Sequence, residues 1–484
     1  MAATRPLVVL YNPIAGFHTI PLALIALGSA LKREGVDVRI IDGRVEANAL
    51  AAVIEATGNA VCLGVTALTG APLRDALSVT RAVSAARPAL PIVWGGWHPS
   101  LFPVETLREA GVAATVQGQG ERPLLEIVRR LAAGDPGFAH ARATAGELDD
   151  IPGVTSVGRD GTVQQTPALP AEDINQFPSA DYGLVSVDPY FRLKRQRQLD
   201  YVSSQGCRFR CAFCADPTVF GRSWSGLTPE RVGDELSWLA RHHGAADVAF
   251  QDETFFTHTA RVAGIAEALL ARNTSLTWMA TMRADQGTRL PADVYALCKR
   301  AGLRRVMVGM ESGDQTMLDW MKKDATVEQV FTMADKCRDA GIAVLCNLIV
   351  GFPGESDASV MATLRAAKRL RAYGSNFQVA MFYYRPYPGT PIADEATRQG
   401  YQGPASLDEW SRFEDDAKSS PWVSGDKRAM VDRFVFYQRI GWAPSSPLRA
   451  PFQALARWRC AHDNYRWPIE QRVLTALRDF APQG

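Results

Sequence analysis

The sequence predicts an α/β protein made of two successive parts: a doubly wound parallel sheet, then an incomplete parallel (βα)6 barrel of TIM type, followed by a helical C-terminal region. Three observations lead there. Between residues 7 and 132, short apolar runs alternate with longer stretches of helical period, the pattern of a parallel sheet covered on both faces. From residue 199 to about 382 the alternation returns, with six strand candidates. Beyond about residue 399 a Trp- and Arg-rich helical pattern takes over. These shifts divide the chain into residues 1–140, a linker 141–198, a barrel 199–398 and a C-terminal region 399–484.

In the first part the strands are Leu7–Tyr11, Val36–Asp42, Ala60–Val65, Pro91–Gly95 and Ala114–Gln117. Amphipathic stretches such as Pro21–Glu34, Leu73–Arg87 and Arg122–Ala132 separate them. In such a sheet, ligands bind beyond the carboxyl ends of the strands. The segments there are Asn12–His18, Asp42–Arg44, Thr66–Gly70, Gly96–Pro99 and Gly118–Glu121. Glycine lets backbone approach a ligand closely, and it equally serves ordinary tight turns. Joint placement on one edge points to a large planar or phosphate-bearing ligand.

From Asp135 to about Gln198 periodicity fades, and one hairpin is expected around Asp160-Gly161. The basic run Arg192–Arg197 reads as a solvated face. Barrel strands follow at Leu199–Ser204, Asp247–Gln251, Thr277–Thr281, Arg305–Val308, Val344–Val350 and Asn376–Phe382, with helices such as Pro229–His242 and Val327–Ala340 between them. Barrel chemistry gathers at the C-terminal ends of the strands.

At 484 residues, 47% hydrophobic and 21% charged, the chain can bury large cores, which excludes disorder as its main state. Its 53 basic and 51 acidic side chains leave a net charge of +2, which argues against a nucleic-acid partner. The apolar run Ile20–Leu31 falls short of the roughly 18 residues of a membrane span, and no basic flank or small-residue cleavage site frames it as a signal peptide. A cytoplasmic protein with a small-molecule substrate and no membrane span is expected.

Of the eight cysteines, Cys62, Cys298, Cys337, Cys346 and Cys460 are scattered singly and read as small buried hydrophobes. The run Cys207-Arg-Phe-Arg-Cys211-Ala-Phe-Cys214 is different: three thiolates fall within eight residues, directly after the first barrel strand. Three ligands so close can hold three corners of one cubic iron–sulfur cluster. A tetrahedral zinc site would need a fourth ligand, such as the distant Cys298 or His242.

At this motif the chain resembles the radical S-adenosylmethionine superfamily, whose signature is C-x3-C-x2-C after the first strand of a partial (βα)6 barrel. The resemblance implies that Cys207, Cys211 and Cys214 ligate a 4Fe-4S cluster whose open iron chelates S-adenosylmethionine, with Phe213 near the adenine. Gln251–Phe255, Met282–Asp285, Gly309–Gly313 and Ile349–Glu355 look like strand-end motifs of the branch that includes cobalamin-dependent enzymes. It thereby implies cofactor-binding roles for Asp252, Glu253, Arg283, Glu311, Ser312 and Gly351. Strand-end carboxylates would receive a ribose or an ammonium group, and Arg283 a carboxylate.

Gly64-Val-Thr-Ala-Leu-Thr-Gly70, Trp94-Gly-Gly-Trp-His-Pro99 and Gly118-Gln-Gly-Glu121 resemble the Rossmann-like cobalamin-binding domain fused to such enzymes. This implies cobalamin contacts from Thr66, Leu68, Thr69, Gly95, Gly96, His98, Gly118, Gly120 and Glu121. The D-x-H-x-x-G motif that supplies a cobalt-ligating histidine is absent. A base-off cobalamin with no protein imidazole on cobalt is therefore expected, its lower face covered by Leu68, and neither His18 nor His98 is a ligand.

Together these resemblances imply methylation of an unactivated carbon through a 5′-deoxyadenosyl radical and methylcobalamin, with electrons from a flavodoxin or ferredoxin. Tyr383, Tyr384 and Tyr387 would line the substrate pocket. Two other readings stay open: an oxidative cyclase acting on a tetrapyrrole with the same cofactors, and a non-catalytic cobalamin and iron–sulfur sensor.

Overall fold

A computed structural model describes residues 5–109, 111–133, 146–413, 421–443, 449–465 and 468–471. The boundary between the expected first domain and linker, at residues 140 and 141, and the end of the C-terminal region, 472–484, lie outside the described residues. The chain divides into two compact units: Met1–Thr281 with Arg300–Gly302 and Pro386–Ala417, and Met282–Lys299 with Leu303–Arg385 and Lys418–Gly484.

The first unit opens with parallel strands β1 (Leu7–Asn12), β2 (Asp37–Asp42), β3 (Ala60–Thr66), β4 (Ile92–Gly95) and β5 (Val112–Val116). Their spatial order is β2-β1-β3-β4-β5, which reverses direction at β1 and β3, the place where doubly wound sheets hold their ligands. Val8, Val9, Leu10 and Tyr11 of β1 are all fully buried because helices cover both faces. Val9 and Tyr11 join a core with Leu73, Leu77 and Val83 of the helix Ala71–Ala86, whereas Val8 and Leu10 join one with Leu124, Ile127 and Val128 of the helix Glu121–Ala132. Each such side chain contributes roughly 1.5–3 kcal/mol of burial.

The expected hairpin forms, and it extends the sheet. Strands β6 (Val154–Val157) and β7 (Val163–Gln165) pair antiparallel around Gly161, and β6 pairs antiparallel with β5, giving seven strands instead of five. Its anchors are Leu148, Ile151 and Val154, a cluster too short to show a period, which bury against the second core.

Also in this unit are β8 (Gln198–Tyr201), the short antiparallel pair β9 (Ser204–Gln205) and β10 (Ser225–Gly226), and β11 (Asp247–Phe250), which pairs parallel with β8. The helix Pro229–His243 between them starts where predicted because Thr228 caps it and proline fits its first turn; Gly244, at φ +61°, ends it. Strand β12 (Thr277–Met282) begins in this unit, parallel to β11. The helix Leu407–Trp410, expected to belong with the C-terminal region, packs instead on the first core through Leu407, Trp410 and Phe413.

The second unit carries β13 (Leu303–Glu311), β14 (Ala343–Val350) and β15 (Phe377–Tyr383), all parallel, with one register irregularity between Gly309 and Glu311 of β13. Between them lie the helices Val327–Asp339, which has a Thr326–Gln329 capping box, and Asp357–Arg371. The helix Gly425–Gly441 covers β14 through Val431. Strands β8 and β11–β15 are the six of the partial barrel. The five scattered cysteines are fully buried, as expected of small core hydrophobes, and none of the eight is in a disulfide.

Candidate active site

The cysteine loop leaves β9 through Gly206, whose φ is +79° and whose added Cβ would stand 2.5 Å from the Ser223 carbonyl oxygen; only glycine fits. The Cys214 amide donates to the Cys211 carbonyl (3.1 Å), folding the last two cysteines into a turn. Buried Asp252, just beyond β11, clamps the base of the loop: its carboxylate accepts from the Ser203 amide and hydroxyl (2.7 Å each) and from the Ser204 hydroxyl (2.6 Å). Glu253 accepts from the Gly206 amide (3.1 Å). From the other side, the Ile392 amide donates to the Ala212 carbonyl (3.1 Å).

Burial pushes the Cys214 thiol up to about 12, and negative charge on Asp216, Cys211 and Cys207 pushes the same way. Charge on Cys207 and Cys211 is thus felt at Cys214. Among the described residues no three His, Cys, Asp or Glu side chains converge tightly enough for a single metal ion. The donor set fits a polynuclear cluster held at three corners, whose loading would displace the thiol protons. Burial also pushes the Glu253 carboxyl up to about 8, reinforced by Asp216 and Asp252.

The strand-end loops of the first sheet are joined to one another. Gly96 (φ +96°) lies so close to the β3 loop that a Cβ would meet Thr66 Oγ1 at 2.8 Å and the Ala67 carbonyl at 3.0 Å. The Ala67 amide donates to the Gly95 carbonyl (2.9 Å), and the His98 amide to the Ala67 carbonyl (3.0 Å). His98 is fully buried, with Nδ1 3.0 Å from Thr69 Oγ1 and its ring against Phe102 and Trp410. Burial pushes its imidazole down to about 3, so it is neutral. Leu68 and Thr66 are half-buried, and His18 is exposed. Gly118 (φ +67°) donates to Ser100 Oγ (3.0 Å), which in turn bonds the Gly96 carbonyl (2.7 Å). Gly120 and Glu121 are half-buried at the start of the next helix, and burial pushes the Glu121 carboxyl up.

This edge rests against the segment that follows the cysteines. Trp97 meets Phe220 edge to face, a Cβ on Gly118 would stand 3.4 Å from the Val219 carbonyl, and Gln119 Nε2 donates to Gln205 Oε1 (2.9 Å). Phe220 ends the helix Asp216–Phe220, which begins two residues after Cys214. Phe213, between Ala212 and Cys214, is half-buried.

In the second unit, Arg283 is buried with Nε on Asp285 Oδ1 (2.9 Å) and Nη2 on the Lys323 carbonyl (2.5 Å). Glu311 ends β13 at φ +65° and pairs with Lys323 (2.7 Å). Ser312 Oγ lies 3.2 Å from Thr363 Oγ1. Gly351, at φ +86°, donates its amide to Glu355, as does Phe352 (3.3 Å). Tyr384 stacks on Phe352 at 4.5 Å and Tyr383 donates to Asp432 (2.8 Å), while in the first unit Tyr387 packs on Phe413. The three tyrosines expected to line a pocket thus have packing partners of their own. Sequence reasoning missed Ser203, Ser204 and Lys323 as site residues, since serine and lysine in short polar turns carry no period.

Residues 13–128 match the B12 binding domain and residues 201–367 the radical SAM superfamily. An uncharacterized methyltransferase of Pyrococcus horikoshii is 30% identical over 387 residues, 78% of this chain and 78% of that protein. The anaerobic magnesium-protoporphyrin IX monomethyl ester cyclase of Rubrivivax gelatinosus is 26% identical over 336 residues, 69% of this chain and 58% of that one. In fold, the cobalamin-dependent S-adenosylmethionine radical enzyme OxsB, solved with aqua-cobalamin and S-adenosylmethionine, is similar with a TM-score of 0.74, over 94% of this chain and 71% of that one, at 17% identity. A 4Fe-4S cluster, S-adenosylmethionine and cobalamin are accordingly this protein's cofactors. The chain belongs to the cobalamin-dependent radical S-adenosylmethionine enzymes, the family of the archaeal methyltransferase.

Proposed function

We propose that this enzyme methylates an unactivated carbon of a small-molecule substrate. The observation that carries the reading is the contact of the segments that follow β4 and β5, through Trp97 and Gly118, with the helix that follows Cys214. When bound, the cluster and S-adenosylmethionine supply a hydrogen-abstracting 5′-deoxyadenosyl radical and cobalamin supplies the methyl group. The chain's part is to hold, orient and exclude water. Cys207, Cys211 and Cys214 hold the cluster; Asp252 and Glu253 fix the backbone that presents them. In the first unit Phe213 is assigned to the adenine; in the second unit Gly351, Glu311 and Ser312 are assigned to S-adenosylmethionine, Glu311 with Ser312 to its ribose.

We assign cobalamin to residues 1–140, where Thr66, Gly95, Gly96, Gly118, Gly120 and Glu121 would hold it and Leu68 would cover its lower face. His98 and Thr69 act through their mutual hydrogen bond, which keeps the β3 and β4 loops in place. The radical chemistry belongs to residues 199–398. Electrons come from a flavodoxin or ferredoxin. No helix among the described residues is long and apolar enough to cross a membrane, and eight cysteines without a disulfide suit the reducing cytoplasm.

The test is anaerobic turnover of the reconstituted enzyme with methyl-deuterated S-adenosylmethionine and a cytosolic metabolite extract. Formation of 5′-deoxyadenosine together with a product heavier by one labelled methyl group is expected. A product that gains oxygen and no label would assign oxidative cyclisation instead, and absence of 5′-deoxyadenosine would remove the radical reading.

A further inference from the structure

The second unit holds an ion pair in a place built for it. On β14, Val344, Cys346, Leu348 and Val350 are buried, and Val350 packs with Val360 of the helix Asp357–Arg371. Residues of the opposite parity, including Asn347, therefore face the inner side of the sheet. Gly309 of β13 is in register with Asn347 and shares that face. A Cβ at Gly309 would collide with Glu311 Oε1 and stand 3.0 Å from Lys323 Nζ. The carboxylate and the ammonium thus lie over Gly309 on the inner face, in the space a side chain would otherwise fill.

Backbone strain holds the pair there. Glu311 sits at φ +65°, beyond an irregularity in register between Gly309 and Glu311, and Lys322 and Asp324, on either side of Lys323, each have φ +52°. Non-glycine residues in this region are strained, and persist where the surroundings over-determine them, often at ligand clamps. Arg283 adds a hydrogen bond to the Lys323 carbonyl. The side chains of Lys323 and Glu311 are only 7% and 9% exposed, so neither charge has bulk water to replace its partner.

We propose that Lys323 is a positioning residue for S-adenosylmethionine: it holds the Glu311 carboxylate over Gly309 so that the carboxylate accepts the ribose hydroxyls. This inference rests on the assignment of Glu311 to the nucleoside. Lys323 does not touch the reacting atoms; it fixes the direction of an acceptor that the nucleoside meets and free methionine does not.

The experiment is equilibrium binding of S-adenosylmethionine and of L-methionine to the cluster-loaded enzyme and its variants. Lys323→Met is expected to raise the Kd for S-adenosylmethionine roughly tenfold, equivalent to ~1.4 kcal/mol, while iron content stays unchanged and the Kd for methionine moves less than about twofold. Glu311→Gln added to Lys323→Met should cost little more, because the acceptor is already misplaced. If Lys323→Met fails to fold, the Lys323→Met/Glu311→Gln double variant, which buries no charge, is read the same way. Wild-type affinity for S-adenosylmethionine in the variant, or equal loss for S-adenosylmethionine and methionine, would overturn the assignment of Lys323 alone. A wild-type holoenzyme that bound no S-adenosylmethionine would overturn the functional reading and this inference with it.

Discussion

Trp97, which opens the helix Trp97–Leu101 after β4, meets Phe220, in the helix after Cys214, edge to face with ring centroids 6.1 Å apart and planes at 81°. Such a pair contributes about 0.5–1.5 kcal/mol beyond simple burial, and it joins the segment after β4, assigned above to cobalamin, to the helix that follows Cys214, assigned above to the cluster. Trp97→Ala should keep the iron yet release more 5′-deoxyadenosine per methyl transferred, since the two edges are no longer held together. Quantifying both products in one turnover assay checks this; an unchanged ratio would count against a coupling role.

Changing Cys211 to Ala removes one corner of a three-thiolate set. Reconstituted protein should fall from about four irons per chain to nearly none, and 5′-deoxyadenosine should disappear with them. Iron analysis beside chromatography of the nucleoside products measures both.

Asp252→Ala leaves the Ser203 amide and two serine hydroxyls without their shared acceptor. A loss of about 3 kcal/mol or more is expected from the charge-assisted bonds, together with lower iron occupancy because the base of the cysteine loop loosens. Thermal denaturation and iron content would show it. An iron content equal to wild type in a destabilised protein would separate folding from cluster assembly.

His98 makes acid stability directional. Its imidazole titrates near 6.5 when unfolded and, because burial penalises the cation, near 3 when folded. Between those values the unfolded chain binds more protons, so this contribution is complete above about pH 6.5 and is lost as pH falls toward 3. The loss approaches ~1.4 kcal/mol per pH unit at its steepest. Denaturant unfolding from pH 7 to 4 should be flatter for His98→Phe than for wild type.

Cobalamin bound to this protein should show no protein imidazole on cobalt. His98 is buried and turned to Thr69, and Leu68 belongs to the same loop. Paramagnetic resonance of the cob(II)alamin form should lack nitrogen superhyperfine splitting; such splitting, abolished by His98→Phe or by changing His18 to Ala, would refute the assignment.

The three-thiol loop could be read from the chain because its geometry is local: C-x3-C-x2-C brings three cysteines together within one loop, whatever packs around it. The strands could be read as well, since buried parallel strands such as Val8–Tyr11 need continuous apolar runs. Tertiary structure decided the rest, because a polar side chain has no periodic signature and its role depends on the donor or acceptor that packing brings to it. Asp252 and Glu311 look alike as carboxylates at strand ends, yet one is bound by two serines of the preceding loop and the other by a lysine in a strained turn. His98 reads as a loop histidine until Phe102 and Trp410, the latter more than three hundred residues away, close over it and make the proton too costly to hold.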